Sequence, residues 1–357
     1  MPPTGTTSFG PSPPSPPTSA TSSAATTAVK RGAAPWPSAG SIPWGCARCG
    51  TCSAARRSRR RAGRGGPLRR RDAAATAAWD ALRGRGIGAL SLAGLHVERS
   101  GTGPAVLLAH GFAGSARNWR PQVRALRDRY EVVTYDARGH ARSDAPDDPA
   151  AYTTAALVAD LAAVVDQVAR PGVPVPVVGG LSMGAATVLP WALAHPGRAR
   201  ALVLASYPAD RASGRGVSAQ AEAFADALER DGVDAAGARF AWGPESGLDE
   251  QGAAMVRQGF LEHPAHGLAH TLRCFLGPRP ALADWQPELR ALEVPVLVVA
   301  GEDDLGSLAP SRWLAETLPA ARLEVVPRAG HVVNLAQPAA FNRILGSFLD
   351  ELEANSP

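Results

Sequence analysis

Val177-Val178-Gly179-Gly180-Leu181-Ser182-Met183-Gly184 is the stretch on which the reading of this chain turns. An apolar, β-branched run ends in glycines. A serine follows, with one glycine two residues before it and another two residues after, and then an alanine-rich segment begins. The pattern is a strand, a sharp turn and a helix with Ser182 at the tip, and Gly180-Leu181-Ser182-Met183-Gly184 fits the G-x-S-x-G nucleophile elbow. A turn this tight brings the strand and helix backbones together, where a Cβ on either flank would clash. Five-residue matches also arise by chance, so the assignment depends on what the rest of the chain supplies.

Working outward, strands and helices alternate. The continuous apolar run 105–109 suits a strand covered on both faces. A helix over 116–127 follows, then strand 131–135, helix 154–169, strand 175–178, helix 183–195 and strand 201–205. Further on come strand 296–300, helix 310–318, strand 322–326 and helix 338–352. Ahead of these, 90–92 and 95–99 alternate with period two about Ala93-Gly94 and read as a strand pair. Such alternation predicts an α/β domain with a mainly parallel sheet and an active site at the carboxyl ends of its strands. Pro190 falls inside the helix after the elbow, which predicts a kink there.

Residues 207–288 break the rhythm and read as helices over 218–230, 250–263 and 266–275. About 80 residues is too long for a simple connection, so a helical cap inserted over the strand ends is expected. The expected organisation is a disordered tail over 1–71, a core over 72–206 and 289–357 opened by a short helix at 72–83, and a cap over 207–288.

The 357 residues carry a formal net charge of +5, but twelve of the 37 Lys and Arg and none of the acidic residues lie in 1–71. The remainder has 25 basic against 32 acidic residues, about −7. The basic balance therefore belongs to the tail, and nothing beyond it suggests a nucleic-acid surface. Its Pro, Ser, Thr, Ala and Gly content with an arginine cluster predicts disorder. No window approaches the roughly 18 apolar residues of a membrane span. The amino terminus lacks a basic-then-apolar signal. Ser58-Arg59-Arg60-Arg61 has the look of a twin-arginine signal and the acid-free tail that of a transit peptide, but Gly and Arg follow where an apolar stretch should. A cytoplasmic protein is expected. Four cysteines are too few for a disulfide-built domain. Cys46, Cys49 and Cys52 have metal-like spacing without a fourth ligand, and Cys274 reads as a small buried residue.

If Ser182 is a nucleophile, a base must take its proton. Among eight histidines, His331 in Arg328-Ala329-Gly330-His331 lies just after the last predicted strand, on the same rim. A carboxylate must orient that imidazole. Strand 296–300 runs into Gly301-Glu302-Asp303-Asp304, where Asp304 is the choice and Asp303 the alternative that periodicity does not separate. The order Ser, Asp, His matches that of the α/β-hydrolases. An acyl-transfer site also needs oxyanion donors, for which the backbone N–H groups of Phe112, in His110-Gly111-Phe112, and of Met183 are expected. His110 reads as a residue holding that loop. Trp242, Phe260, Phe275 and Trp285 are candidate pocket walls. His263, His266 and His270 fall on nearby helical turns and read as a rim face rather than a metal site.

His110-Gly111-Phe112, Tyr135-Asp136-Ala137-Arg138-Gly139-His140-Ala141-Arg142-Ser143, the elbow, Gly301-Glu302-Asp303-Asp304 and Gly330-His331 occur in one order. Together they resemble the α/β-hydrolase superfamily over 90–353, in the branch with a helical cap. The resemblance places the acid three residues after the glycine, at Asp304. It implies a serine hydrolase of an ester or lactone that needs no cofactor or metal and takes a small-molecule ester-like substrate. Carbon–carbon hydrolases, cofactor-free perhydrolases and proline iminopeptidases share the pattern, and a non-catalytic scaffold binding a small ligand is the alternative outside enzymes. The chain departs from the pattern at Ala141, where glycine is usual, and between Asp304 and Pro310, which is about two residues longer than the commonest form.

Overall fold

The computed structural model describes residues 90–92, 94–169, 175–209, 216–243 and 250–355. The expectations for 1–71, for a helix at 72–83, for Cys46, Cys49 and Cys52 and for Ala93 lie outside these residues.

Among the described residues eight strands form one sheet: β1 (Leu90–Leu92), β2 (Leu95–Ser100), β3 (Ala105–Ala109), β4 (Glu131–Tyr135), β5 (Val177–Leu181), β6 (Ala201–Ala205), β7 (Val296–Gly301) and β8 (Ala321–Val326). Their spatial order is β1-β2-β4-β3-β5-β6-β7-β8. β2 runs antiparallel to both of its neighbours, and every pair from β4 to β8 is parallel. Every residue of β3, β5, β6 and β7 is buried. Alternate side chains enter opposite layers. Leu107, Val178, Leu202 and Val298 pack against α2 (Thr154–Val168) and α3 (Met183–Ala194). Val106, Leu108, Val203 and Leu297 pack against Trp119 and Phe341 on the other side. Both faces are covered, which is why these strands read as unbroken apolar runs.

Some boundaries differ from the sequence reading. The segment expected as one helix over 116–127 begins as a 3-10 turn, Ala116–Trp119, and continues as α1 (Arg120–Leu126). The strand expected at 175–178 lies at Val177–Leu181 and includes both glycines, because Gly179 pairs with Leu108 on one side and Val203 on the other. A Cβ on Gly179 would stand 2.9 Å from Val203 Cβ, so the tight ladder that overrides glycine's weak strand preference also requires it. α3 continues through Pro190 to Ala194.

The segment between β6 and β7 is helical. It contains α4 (Gly216–Phe240), broken by a non-helical Gly232, then α5 (Glu250–Phe260), α6 (Ala265–Thr271), a π-helical turn (Leu272–Leu276) and α7 (Gln286–Arg290). Its apolar cluster of Leu228, Phe260, Leu268 and Leu272 closes over Ala113 and Phe112, just beyond β3. Polar contacts reach the same rim. Arg117 pairs with Glu262 at 2.7 Å. His263 lies 2.9 Å from the Ala113 carbonyl, His266 3.0 Å from that of Ala145 and His270 3.2 Å from that of Asp147. This is a helical insertion seated on the strand ends.

Two expectations follow from this packing. A Cβ on Gly184 would lie 2.2 Å from the Ala109 carbonyl oxygen, so Gly184→Ala should lower the thermal unfolding midpoint by an overpacking cost of about 1–3 kcal/mol. Burial drives the pKa values of His110, His140 and His263 below 6.5, that of His263 to about 4. The unfolded chain therefore binds protons below about pH 6.5 that the folded chain refuses. The stability is complete above that pH and declines as pH falls toward 4. Urea titrations should show a loss of about 3 kcal/mol from His263 across that window, and His263→Gln should remove that part.

Candidate active site

Ser182 occupies the single residue between β5 and α3, with φ 52° and ψ −109°. Positive φ is costly for a residue bearing a Cβ and persists only where the surroundings impose it. Here the Ser182 N–H donates to the Ala205 carbonyl of β6 at 2.8 Å, and its own carbonyl accepts the Ala186 N–H at 2.9 Å. A Cβ on Gly180 would lie 2.3 Å from the Gly184 carbonyl carbon, so Gly180 lets β5 and α3 approach, while Gly184 lets α3 approach the end of β3. The Ser182 hydroxyl makes no cap bond to the helix. It lies instead 2.8 Å from His331 Nε2.

His331 belongs to the loop after β8, and that loop is tied to the one after β7. The Glu302 N–H donates to the Val326 carbonyl and the Asp303 N–H to the Ala329 carbonyl, each at 2.9 Å. Gly301 permits the crossing, since a Cβ there would sit 2.2 Å from the Ala329 oxygen. Asp303 thus uses its backbone to hold the loop and leaves its side chain exposed. Asp304 turns inward, and its Oδ2 lies 2.9 Å from His331 Nδ1. The histidine side chain is 47% exposed and the carboxylate 8%.

Asp304 is also the N-cap of α8 (Leu305–Thr317), accepting the Ser307 N–H at 3.3 Å. The helix expected at 310–318 therefore starts five residues earlier, so the whole stretch 305–309 between Asp304 and Pro310 is helical. Ser307 is fully buried and its hydroxyl oxygen is 3.3 Å from His331 Nδ1. Burial alone would raise the Asp304 pKa. The hydrogen bonds from His331 and Ser307 outweigh it and hold the carboxyl below its ordinary value. Sequence reasoning missed Ser307. The signal available was the Asp-x-x-Ser spacing of an N-cap and its third residue.

The loop after β3 is set by His110. Its Nδ1–H donates to the Gly111 carbonyl at 2.7 Å, while Nε2 accepts the Ala137 N–H at 2.9 Å. The Gly114 N–H reaches the same Gly111 carbonyl at 3.0 Å. In a trans peptide the C=O and N–H point opposite ways, so fixing the Gly111 oxygen also fixes the direction of the Phe112 N–H. Gly111 runs beside the nucleophile turn, where an added Cβ would be 3.6 Å from Ser182 Cβ. Met183 begins α3, where the first N–H groups have no partner within the helix.

Of the candidate walls, Phe260 packs edge-on against Phe112 at 6.1 Å and Trp242 against Phe260 at 5.3 Å. Phe275 is wholly buried in the main core, with Trp285 packed on that core. Among the described residues no three His, Cys, Asp or Glu side chains converge as a metal site. A groove of about 430 Å³ opens at the amino ends of β7 and β8, between Arg200, Arg322, Phe348 and Glu351. It lies at the opposite end of these strands and contains none of the residues above.

The structure thus brings Ser182, His331 and Asp304 into one hydrogen-bonded line and sets the Phe112 and Met183 backbones beside it, at the carboxyl ends of parallel strands. The comparisons agree with that architecture. A Bacillus subtilis protein provisionally named 2-succinyl-6-hydroxy-2,4-cyclohexadiene-1-carboxylate synthase is 33% identical over 256 residues, covering 70% of this chain and 91% of that one. The 3-oxoadipate enol-lactonase 1 of Acinetobacter baylyi is 26% identical over 251 residues, with 70% and 90% covered. A thermophilic esterase from Thermogutta terrifontis superposes with a TM-score of 0.63 at 26% identity, over 72% of this chain and 93% of that one. Among the described residues no helix is long and apolar enough to cross a membrane. With the alpha/beta hydrolase family model matching residues 106–344, the chain belongs to the alpha/beta hydrolase family.

Proposed function

We propose that the chain is a serine hydrolase that cleaves a carboxylic ester or lactone through an acyl-enzyme. The observation that carries this reading is the continuous line from Ser182 Oγ to His331 Nε2 at 2.8 Å and from His331 Nδ1 to Asp304 Oδ2 at 2.9 Å. With Nδ1–H donating to Asp304, the Nε2 lone pair faces the serine hydroxyl, the tautomer a general base needs. The relatives named as an esterase and an enol-lactonase support that substrate class.

Ser182 Oγ attacks the carbonyl carbon as its proton passes to His331 Nε2. The ionised Asp304 carboxylate stabilises the imidazolium that forms. The oxygen that becomes negative is received by the N–H groups of Phe112 and Met183, which make no protein hydrogen bond among the described residues. Collapse of the tetrahedral species expels the alcohol, which takes the proton from His331. Water then enters beside the half-exposed imidazole and reverses the sequence, releasing the acid. The aromatic side chains that surround Phe112, namely Phe224, Phe260 and, behind them, Trp242, favour an apolar group on the substrate.

An alkyl fluorophosphonate should label Ser182 in the full chain. Ser182→Ala should abolish labelling and lower ester turnover by on the order of 10⁴-fold or more. Undiminished turnover in that variant would remove the reading. A panel of aryl esters, lactones, β-diketones and amino-acid arylamides should return the esters or lactones as best substrates. Preference for a diketone or an arylamide would transfer the same machinery to a carbon–carbon hydrolase or a peptidase. Ser307→Ala should lower kcat about tenfold, within the ~10²-fold range for a misplaced catalytic group, with KM nearly unchanged. Ser307→Thr should recover most of that loss.

A further inference from the structure

His263 lies in the turn between α5 and α6 of the insertion and is 6% exposed. Both ring nitrogens are spent on core backbone. Nδ1 accepts the Ala141 N–H at 2.8 Å, so the proton resides on Nε2 and is donated to the Ala113 carbonyl at 2.9 Å. That carbonyl belongs to the Ala113–Gly114 peptide. The N–H of this same peptide donates to the Gly111 carbonyl at 3.0 Å. The Gly111 carbonyl belongs in turn to the Gly111–Phe112 peptide, whose N–H is the oxyanion donor of the proposed mechanism. Two peptide units in series therefore join a histidine of the insertion to the Phe112 N–H.

Such a relay transmits orientation, because the C=O and N–H of each planar unit are rigidly opposed. Hydrogen bonds in series also polarise one another, by about 10–30% per bond. His110 holds the Gly111 oxygen from within the loop, and the Ala113–Gly114 peptide beyond it needs a second hold from outside. Ala113 has φ 50°, a strained value for a residue with a Cβ. Gly114 is crowded on both sides, since an added Cβ would meet the Gly111 oxygen and Asn118 Oδ1 at 2.9 Å each. Ala141, at φ 46°, is held through the other ring nitrogen. His140 packs edge-on against His263 at 5.4 Å, and Phe260 against Phe112, so the imidazole is clamped on its flanks as well as at its two nitrogens.

We propose that His263 is a positioning residue: through this two-peptide relay it sets the direction of the Phe112 N–H, so that seating the insertion on the core completes the oxyanion hole. The proposal rests on the reading of Phe112 N–H as an oxyanion donor. Burial keeps the imidazole neutral, which preserves the Nδ1 lone pair for Ala141 and leaves the single proton on Nε2 for Ala113.

The test separates the two ring nitrogens. In His263→Asn the short amide can meet Ala141 but falls short of Ala113. In His263→Gln the amide nitrogen reaches toward Ala113 and restores a donor. The readout is the maximal rate at which an alkyl fluorophosphonate labels Ser182 in the full chain, with its half-saturating concentration, measured below each variant's thermal midpoint. His263→Asn should label about tenfold more slowly at unchanged half-saturation, less than the 10²–10³-fold loss typical of a missing donor. His263→Gln should return to within about twofold of the parent. A His263→Asn rate equal to that of the parent, or a His263→Gln rate no faster than that of His263→Asn, would overturn the relay. Undiminished labelling of Ser182→Ala would instead overturn the hydrolase reading beneath it.

Discussion

Ser182 holds a positive φ because β5 ends and α3 begins on either side of it, and the rest of the rim is arranged around that one strained residue. The strain persists because the surroundings over-determine it. The Ser182 N–H is tied to β6, its carbonyl starts the helix, Gly180 lets β5 meet α3, and Gly184 lets α3 meet the end of β3, at distances no side chain allows. The consequence is a hydroxyl that is not consumed by the helix and points into the space where the loops of other strands converge. The energy that supports this geometry comes from the sheet beneath it, whose central strands are buried on both faces.

Around that residue the loops are fastened to one another and not left to chance. The loops after β7 and β8 share backbone hydrogen bonds at Glu302 and Asp303, and Gly301 gives them room. Asp304 serves two elements at once, as partner of His331 and as N-cap of α8. A carboxylate that accepts from both the imidazole and the first helical turn has its rotamer fixed from two directions. It also stays ionised against the cost of burial.

The seat of the insertion is built mainly from histidines and aromatic rings. His266 and His270 lie on α6 and His263 in the turn before it, and each spends Nε2 on a carbonyl of the core rim. The buried imidazole of His263 gives a directional contact without a buried charge. Arg117 and Glu262 add an ion pair at the edge, where solvent makes such a pair worth little.

Much of this was legible in the sequence. Alternating apolar runs and helical segments identified a mainly parallel sheet, since full burial on both faces leaves an unmistakable run of Val, Leu and Ala. The tight-turn glycines marked Ser182, and the strand-end positions of His110, His331 and the Asp303-Asp304 pair placed them on the same rim. Periodicity did not separate Asp303 from Asp304, because both lie in irregular backbone. The resemblance pointed to Asp304, and the fold ties the Asp303 N–H to Ala329 and turns Asp304 toward His331. The start of α8 was hidden because Gly306 and Pro310 weaken the local helical signal and its cap is the very carboxylate read as catalytic. Ser307 was missed with that helix start, and the His263 relay was out of reach because its partners, Ala113 and Ala141, are distant in sequence. Local sequence records what a segment prefers and which chemistry it carries. Which side chain meets another side chain 24 residues away, as Ser307 meets His331, or a backbone 150 away, as His263 meets Ala113, is settled only when the strands pair and the insertion packs.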